Sequence, residues 1–97
     1  MTCKLHRLAE RDLEAAFRFY REKGSSKVAL RFLAEFEHVA ALLDGNPGLG
    51  TPSSGDRRTY PFRKYPYSVI YKPDDTGIRI LVVRHQRRQP GYGSARG

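Results

Sequence analysis

The apolar residues of this chain change their spacing once along the sequence, from a helical period to strand alternation. In the first half, steps of three and four residues produce two apolar stripes, each typical of an amphipathic helix. The first stripe contains Ala9, Leu13, Ala16, Phe17 and Tyr20, and the second contains Val28, Ala29, Phe32, Leu33, Phe36, Val39, Ala40 and Leu43. Gly24 predicts a left-handed end to the first helix, and Ser25 or Ser26 can cap the start of the second. This short connection predicts an antiparallel helical hairpin.

Four segments are typical of β-strands, one before the helices and three after them. They cover residues 4–8, 57–62, 67–72 and 78–84. The last segment is apolar on both faces, which predicts a central position in a sheet. Residues 44–56 contain four glycines and two prolines and predict an irregular loop. We therefore expect an α+β fold of order β-α-α-β-β-β, with the helical hairpin packed on one face of a small, mainly antiparallel sheet.

The length of 97 residues predicts a single domain over residues 1–97, with a flexible tail at about 93–97. Cys3 is the only cysteine, which excludes an internal disulfide and favours a reducing compartment. No stretch approaches the roughly 18 apolar residues of a membrane-spanning helix, and residues 1–7 contain no apolar run typical of a signal peptide. We expect a cytoplasmic protein without a membrane partner.

The excess positive charge of the chain lies entirely in its last 41 residues. Residues 1–56 contain eight Lys and Arg and eight Asp and Glu, which cancel. Residues 57–97 contain ten basic residues and only Asp74 and Asp75 as acids, which gives the net charge of +8. Clustered cations repel one another and destabilise the compact state. Such clustering favours a negatively charged partner.

The sequence contains no well-formed nucleotide or metal motif. Gly45 and Gly50 have the spacing of a phosphate-binding loop, but Thr51 replaces the lysine that should follow the second glycine. This segment also follows a helix, whereas the motif requires a preceding strand. The histidines and the cysteine show no metal-ligand spacing. They are His6, His38, His85 and Cys3. We predict no metal and no cofactor.

Basic and aromatic side chains are interleaved in the second half of the chain. They are Arg57, Arg58, Tyr60, Arg63, Lys64, Tyr65, Tyr67, Tyr71, Arg84, His85, Arg87, Arg88, Tyr92 and Arg96. In one interpretation the tyrosines belong to the core and the arginines form a solvated rim. In the other, the guanidinium groups and rings bind phosphates and bases, or an acidic protein segment. Taken together, the cluster favours an anionic partner.

Several short motifs occur in order between residues 5 and 92. They are Ala9-x-x-Asp12-Leu13, Phe19-Tyr20, Ala29-x-Arg31-Phe32, Asn46-Pro47-x-x-Gly50, Arg57 or Arg58, Tyr65-Pro66-Tyr67-x-Val69-Ile70-Tyr71 and Ile80-Leu81-Val82-Val83-x-His85-x-x-Arg88-x-Pro90. This set resembles the RelE/ParE superfamily of bacterial toxins. The resemblance implies the toxin of a type II toxin–antitoxin module with the superfamily's fold. It also implies a cognate antitoxin with an acidic, amphipathic segment. The toxin is expected to oligomerise mainly through this antitoxin.

Two branches of this superfamily have different activities. Characterised ParE, or plasmid-stabilisation, members poison DNA gyrase, and the long hairpin, the Asn46-Pro47 motif and the ending 85–90 resemble that branch. RelE members cut messenger RNA in the ribosomal A site, which requires proton transfer and stabilisation of a charged transition state. Here Gln86 stands where the RelE branch has an arginine, and arginines replace most of its sheet lysines. Because arginine is a poor general base, the resemblance implies gyrase inhibition, with RNA cleavage as the alternative.

These activities assign roles to overlapping sets of residues. For target binding, the resemblance and the charge pattern together favour Arg58, Arg63, His85, Arg87 and Arg88. For RNA cleavage, the candidate catalytic residues are Arg58, Arg63, Lys64, His85, Arg87 and Tyr92. For antitoxin binding, the candidates are Phe17, Tyr20, Phe32, Phe36, Arg57 and Arg84. A free-standing nucleic-acid-binding module is a third and weaker alternative, which predicts a steep dependence of affinity on salt.

Overall fold

Two helices and five strands make up the described part of the chain, residues 2–87 and 91–96 of a computed structural model. The elements are β1 (Thr2–Leu5), α1 (Arg7–Lys23), α2 (Ser26–Gly45), β2 (Thr51–Pro52), β3 (Arg58–Pro61), β4 (Tyr67–Asp74) and β5 (Gly77–His85). The strands form one sheet in the order β1-β5-β4-β3-β2. Strand β1 is parallel to β5, and the other pairs are antiparallel. The helices contact each other and the sheet, which confirms the expected α+β fold.

The first strand ends earlier than the sequence predicts because a histidine caps the following helix. The sequence places this strand at residues 4–8, whereas β1 ends at Leu5 and α1 begins at Arg7. The Nδ1 atom of His6 accepts a hydrogen bond from the N–H of Leu8 (3.0 Å), as a Ser or Asp cap would. Partial burial and the positive charges of Arg79 and Arg96 lower the pKa of His6. The imidazole therefore remains a neutral acceptor at pH 7.

The connection between the helices has one expected cap and one unexpected glycine role. The hydroxyl of Ser25 accepts a hydrogen bond from the N–H of Val28 (3.2 Å), so Ser25 caps α2 as predicted. The predicted left-handed conformation of Gly24 is wrong, since its φ is −116°. A Cβ atom on Gly24 would instead lie 2.9 Å from the carbonyl oxygen of Tyr20 and 3.3 Å from Val28 Cβ. Gly24 is needed for close approach of the two helices rather than for a positive φ.

The core lies between the apolar stripe of α2 and the facing side of the sheet. Strand β5 is central, as its sequence predicts, and its residues Ile78, Ile80, Leu81 and Val82 have no exposed surface. Toward the loop that joins β3 to β4, five rings form one cluster with centroids between 5.0 and 6.2 Å apart. They are Tyr20, Phe32, Phe62, Tyr65 and Tyr67. Such aromatic pairs stabilise the fold beyond the effect of their buried area.

The segment 44–56, which the sequence predicts as a loop, contains the short strand β2 and is anchored to the sheet by a buried tyrosine of β4. Thr51 and Pro52 pair with β3 and add a short fifth strand at the edge of the sheet. Before β2, the hydroxyl of the fully buried Tyr71 donates to the carbonyl of Pro47 (2.8 Å) and accepts from the N–H of Gly50 (2.9 Å). These bonds replace a regular ladder and hold the loop on the sheet.

Gly50→Ala is expected to destabilise the fold, because a Cβ atom at this position would lie 2.7 Å from the Tyr71 hydroxyl. Overpacking of this kind costs about 1–3 kcal/mol of unfolding free energy. Gly48→Ala is the matched control, since a Cβ on Gly48 has no neighbour within 4 Å. Urea denaturation of both variants measures the difference. Equal midpoints for the two variants would contradict the role assigned to Gly50.

The C-terminal residues 91–96 lie against the sheet and α1. The flexible tail expected at about 93–97 stays a prediction. The guanidinium group of Arg57 donates to the carbonyls of Gly93 (3.4 Å) and Arg96. Gly93 lies directly on Val82, because a Cβ atom added to Gly93 would lie only 2.6 Å from Val82 Cγ2. Residues 91–96 thus cover the apolar sheet surface at Val82. Within the described ranges, neither helix is long and apolar enough to cross a membrane.

Candidate functional site

One end of the sheet collects four of the sequence-predicted site residues. Tyr67 at the start of β4 pairs with His85 at the end of β5, and the N–H of Gln86 donates to the carbonyl of Pro66 (2.8 Å). The β3–β4 loop and the end of β5 therefore lie at the same end of the sheet. We call this surface the basic end, defined by Arg63, Lys64, His85 and Arg87. Its cations come from the β3–β4 loop and from the residues after β5, which the fold brings to the same end of the sheet.

The β3–β4 loop is fixed to α2 by a carboxylate and a tyrosine. Glu35 accepts hydrogen bonds from the backbone N–H groups of Arg63 (2.6 Å) and Lys64 (3.0 Å). The hydroxyl of Tyr65 donates to the carbonyl of Val28 (3.1 Å). Both cationic side chains are exposed while their backbone is held in place. Preorganised cations lose less conformational entropy on binding, which strengthens contact with an anionic surface.

His85 is oriented by two neighbours at the end of β5. Its ring meets the ring of Tyr67 edge to face at 5.2 Å between centroids. Its Nδ1 atom accepts a hydrogen bond from the N–H of Arg87 (3.1 Å), so we assign the proton of the neutral imidazole to Nε2. The half-buried ring therefore presents a donor to a partner, beside the exposed guanidinium group of Arg87.

Two of the predicted arginines have structural partners away from the basic end. Arg58 donates from Nη1 to the carbonyls of Gly48 (3.2 Å) and Gly50 (2.6 Å), and so secures the loop before β2. Arg57, expected to bind the antitoxin, holds the C-terminal residues Gly93 and Arg96 instead. Both guanidinium groups thus have structural partners outside the basic end, and the predicted role of Arg58 in target binding and catalysis stays a prediction.

The aromatic residues predicted to bind the antitoxin are divided between the core and a surface groove. Phe32 and Phe36 are core residues, 0% and 7% exposed, so this structure presents neither ring on the surface, and their role in antitoxin binding stays a prediction. Tyr20 is half-buried in the aromatic cluster, where burial and the neighbouring Tyr67 raise its pKa to about 12. Phe17 lines a groove of about 340 Å³ on the outer side of the hairpin. Arg84 is half-buried in β5.

A carboxylate on α1 organises the region beside the basic end, and the sequence-based site did not include it. Asp12 accepts hydrogen bonds from the hydroxyl of Tyr92 (2.8 Å), from Arg96 Nη1 (2.5 Å) and from the N–H of Val83 (3.0 Å). The side chains of Asp12 and Arg96 are only 7% and 10% exposed. The sequence does contain a hint of this role. Asp12 lies three residues after the buried Ala9, so both residues share one face of α1, and a carboxylate on that face requires a partner.

The arrangement of these groups suits binding better than proton transfer. Arg63, Lys64 and Arg87 present permanent positive charge, and arginine does not exchange its proton near pH 7. The hydroxyl of Tyr92, a predicted catalytic residue, donates a hydrogen bond to the buried Asp12. Arg88 falls outside the described residues, so its predicted role in target binding stays a prediction.

Comparison with known proteins gives two matches to the same kind of system. The model of the family described as ParE toxin of type II toxin–antitoxin system, parDE, matches residues 3–90. A solved structure described as the chromosomal ParDE TA system from P. aeruginosa contains a chain with 26% sequence identity and a TM-score of 0.77. The match covers 88% of this chain and 95% of that chain. No curated protein matches this sequence.

Proposed function

Because the chain belongs to the ParE toxin family of type II toxin–antitoxin systems, we propose that it arrests growth by binding DNA gyrase through its basic end. A cognate antitoxin neutralises it by covering the cationic surface. The observation that carries this proposal is the family match over residues 3–90. The preorganised cations Arg63, Lys64 and Arg87 supply a surface that fits an acidic region of a protein target.

Ribosome-dependent cleavage of messenger RNA is the second candidate. His85 and Tyr92 line one cleft of about 390 Å³, which is the observation in its favour. A general acid in this cleft would have to release a proton to the leaving oxygen. The Tyr92 hydroxyl instead donates to Asp12, which is saturated by Arg96 and Val83. The site therefore favours binding of a protein over RNA chemistry.

Purified gyrase provides the deciding measurement. We expect the toxin to inhibit supercoiling of relaxed plasmid in a dose-dependent way, because it binds the enzyme directly. The matched control is the same toxin in complex with its antitoxin, which should leave supercoiling intact. Unimpaired supercoiling at a large molar excess of free toxin would contradict gyrase as the target.

RNA cleavage and nucleic-acid binding, the two alternative functions, predict different experimental results. Toeprinting of a translated message would show new 5′ ends at A-site codons if the protein cleaves RNA. Binding to naked DNA or RNA with a steep salt slope would instead indicate a nucleic-acid-binding module. We place the protein in the cytoplasm, where gyrase, ribosomes and a newly made antitoxin are all accessible. Recovery of the protein alone in a pull-down from cells that carry the neighbouring small gene would argue against the antitoxin.

A further inference from the structure

Strand β5 has an outer edge that β1 covers only in part. The pairing of β1 with β5 runs from Gly77 to Ile80 and stops where β1 ends at Leu5. The next two outward-facing backbone groups are bonded by side chains instead of a strand. The carbonyl of Leu81 accepts from Arg96 Nη1 (3.1 Å), and the N–H of Val83 donates to Asp12.

Beyond Val83 the edge continues to the end of the strand. In an antiparallel strand, the N–H and the carbonyl of one residue point toward the same neighbouring strand, and those of every second residue point in that same direction. Because the N–H of Val83 points away from β4 toward Asp12, the carbonyl of Val83 and the N–H and carbonyl of His85 point the same way. Among residues 2–87 and 91–96, no backbone group bonds to these three positions. An edge of this kind is a template for another extended chain.

A groove runs beside this edge, between α1 and Tyr92. It has a volume of about 390 Å³ and is lined in part by Ala15, Phe19, Tyr67, Val83 and His85. Phe19 is one of three large apolar side chains of the described residues that are strongly exposed, with 50% of its surface accessible. Arg11 lies in the same groove, and Arg87 borders its outer continuation past Phe19 and His85. The groove thus combines an aromatic floor with cationic margins.

We propose that an extended, acidic segment of the antitoxin adds to β5 as a further strand at residues 83–85, with an apolar side chain on Phe19 in this groove. The inference rests on the proposed function for the existence of an antitoxin and adds the place and the conformation of the contact. Alternate side chains of an extended segment face opposite ways. One set contacts Phe19 and Tyr67, while acidic residues of the other set pair with Arg11 or Arg87.

An extended partner fits this surface better than a helix. Only an extended chain offers backbone donors and acceptors to the outward groups of Val83 and His85, since a helix bonds its own. The bonds of Asp12 to Val83 and Arg96 tie α1 and the C-terminal segment to this edge next to the groove. The free protein therefore carries a preformed docking strand.

Calorimetry of toxin variants with the product of the neighbouring antitoxin gene tests the inference. Phe19→Asp and Ala15→Glu should each weaken the complex by about thirtyfold or more, since both put negative charge where an acidic segment binds. The control is Leu30→Asp, which changes an equally exposed apolar side chain, 57% accessible, on α2. It should bind like the original protein. Thermal unfolding of each variant verifies that the fold is intact.

Amide hydrogen exchange provides a second readout that does not depend on variants. In the ¹⁵N-labelled toxin, the amide of His85 should exchange more slowly in the complex than in the free protein, because the added strand accepts its hydrogen bond. Equal exchange in both states, or a loss of affinity in Leu30→Asp but not in Phe19→Asp, would overturn the inference. A toxin that binds no antitoxin at all would overturn the proposed partnership, and the strand addition with it.

Discussion

Asp12→Ala is expected to lower the free energy of unfolding by about 3–5 kcal/mol, the usual cost of removing one partner of a buried ion pair. The substitution would leave the guanidinium group of Arg96, whose side chain is 10% exposed, without a counter-charge. It would also leave the N–H of Val83 and the hydroxyl of Tyr92 without their acceptor. Arginine stays protonated near pH 7 without a partner, so deprotonation cannot relieve the charge once Asp12 is removed. Urea denaturation measures the loss.

Two further variants separate the ion pair from a general effect on α1. Glu10→Ala removes an exposed carboxylate from the same helix and should change stability by less than about 0.5 kcal/mol. The double variant Asp12→Ala with Arg96→Met should regain part of the lost stability, because it removes both charges together. If Asp12→Ala unfolds at the same urea concentration as Glu10→Ala, the carboxylate does not hold the C-terminal residues to the sheet.

The helical hairpin and the central strand could be predicted because their signals are periodic and local. The stripe from Val28 to Leu43 buries six residues of α2 on one face, and the apolar run of β5 occupies the middle of the sheet. Periodicity reports burial without telling what covers the buried face. For this reason the sequence could suggest that Phe32 and Phe36 contact a partner protein, although in the structure both rings are buried in the core of the same chain.

The internal use of basic residues could not be predicted, because charge patterns do not identify partners that are distant in sequence. Arg57 bonds to carbonyls 36 and 39 residues away, and Arg96 bonds to a carboxylate 84 residues away. Three of the ten basic residues in the second half, Arg57, Arg58 and Arg96, therefore stabilise loops and the C-terminal segment. Fewer guanidinium groups are therefore available for direct contact with a partner, and the exposed cations Arg63, Lys64 and Arg87 lie at the basic end.

The structure also relates the charge asymmetry to the fold. The neutral first half of the chain forms the helical hairpin, which supplies Glu35 to the β3–β4 loop and Asp12 to the edge of β5. Glu35 accepts the backbone N–H groups of Arg63 and Lys64 and leaves both cationic side chains exposed. Asp12 accepts the N–H of Val83 and pairs with the buried guanidinium group of Arg96. Glu35 thus positions two exposed cations, whereas Asp12 neutralises Arg96 and fixes the C-terminal segment to the sheet.

Reversal of charge at the basic end is expected to abolish growth arrest. Arg63→Glu combined with Arg87→Glu places two negative charges on the surface proposed to bind an acidic region of the target. Loss of a binding hot spot costs at least about 2 kcal/mol, which is about thirtyfold in affinity, and like charges add repulsion. The fold should persist, because both side chains are exposed and Glu35 bonds to the backbone of Arg63, not to its side chain. Growth after induction without antitoxin, and gyrase supercoiling in vitro, measure the effect.

The matched control reverses two charges elsewhere while preserving the net charge of the variant. Arg18→Glu with Arg21→Glu changes exposed residues of α1 that line the outer groove of the hairpin. If toxicity depends on a specific contact, this control should remain toxic and the basic-end variant should not. If both variants lose toxicity equally, the protein is attracted to its target by net charge alone, and the basic end is not the contact. Because long-range attraction is screened within about 8 Å at physiological salt, repeating the supercoiling assay at higher salt separates the two cases.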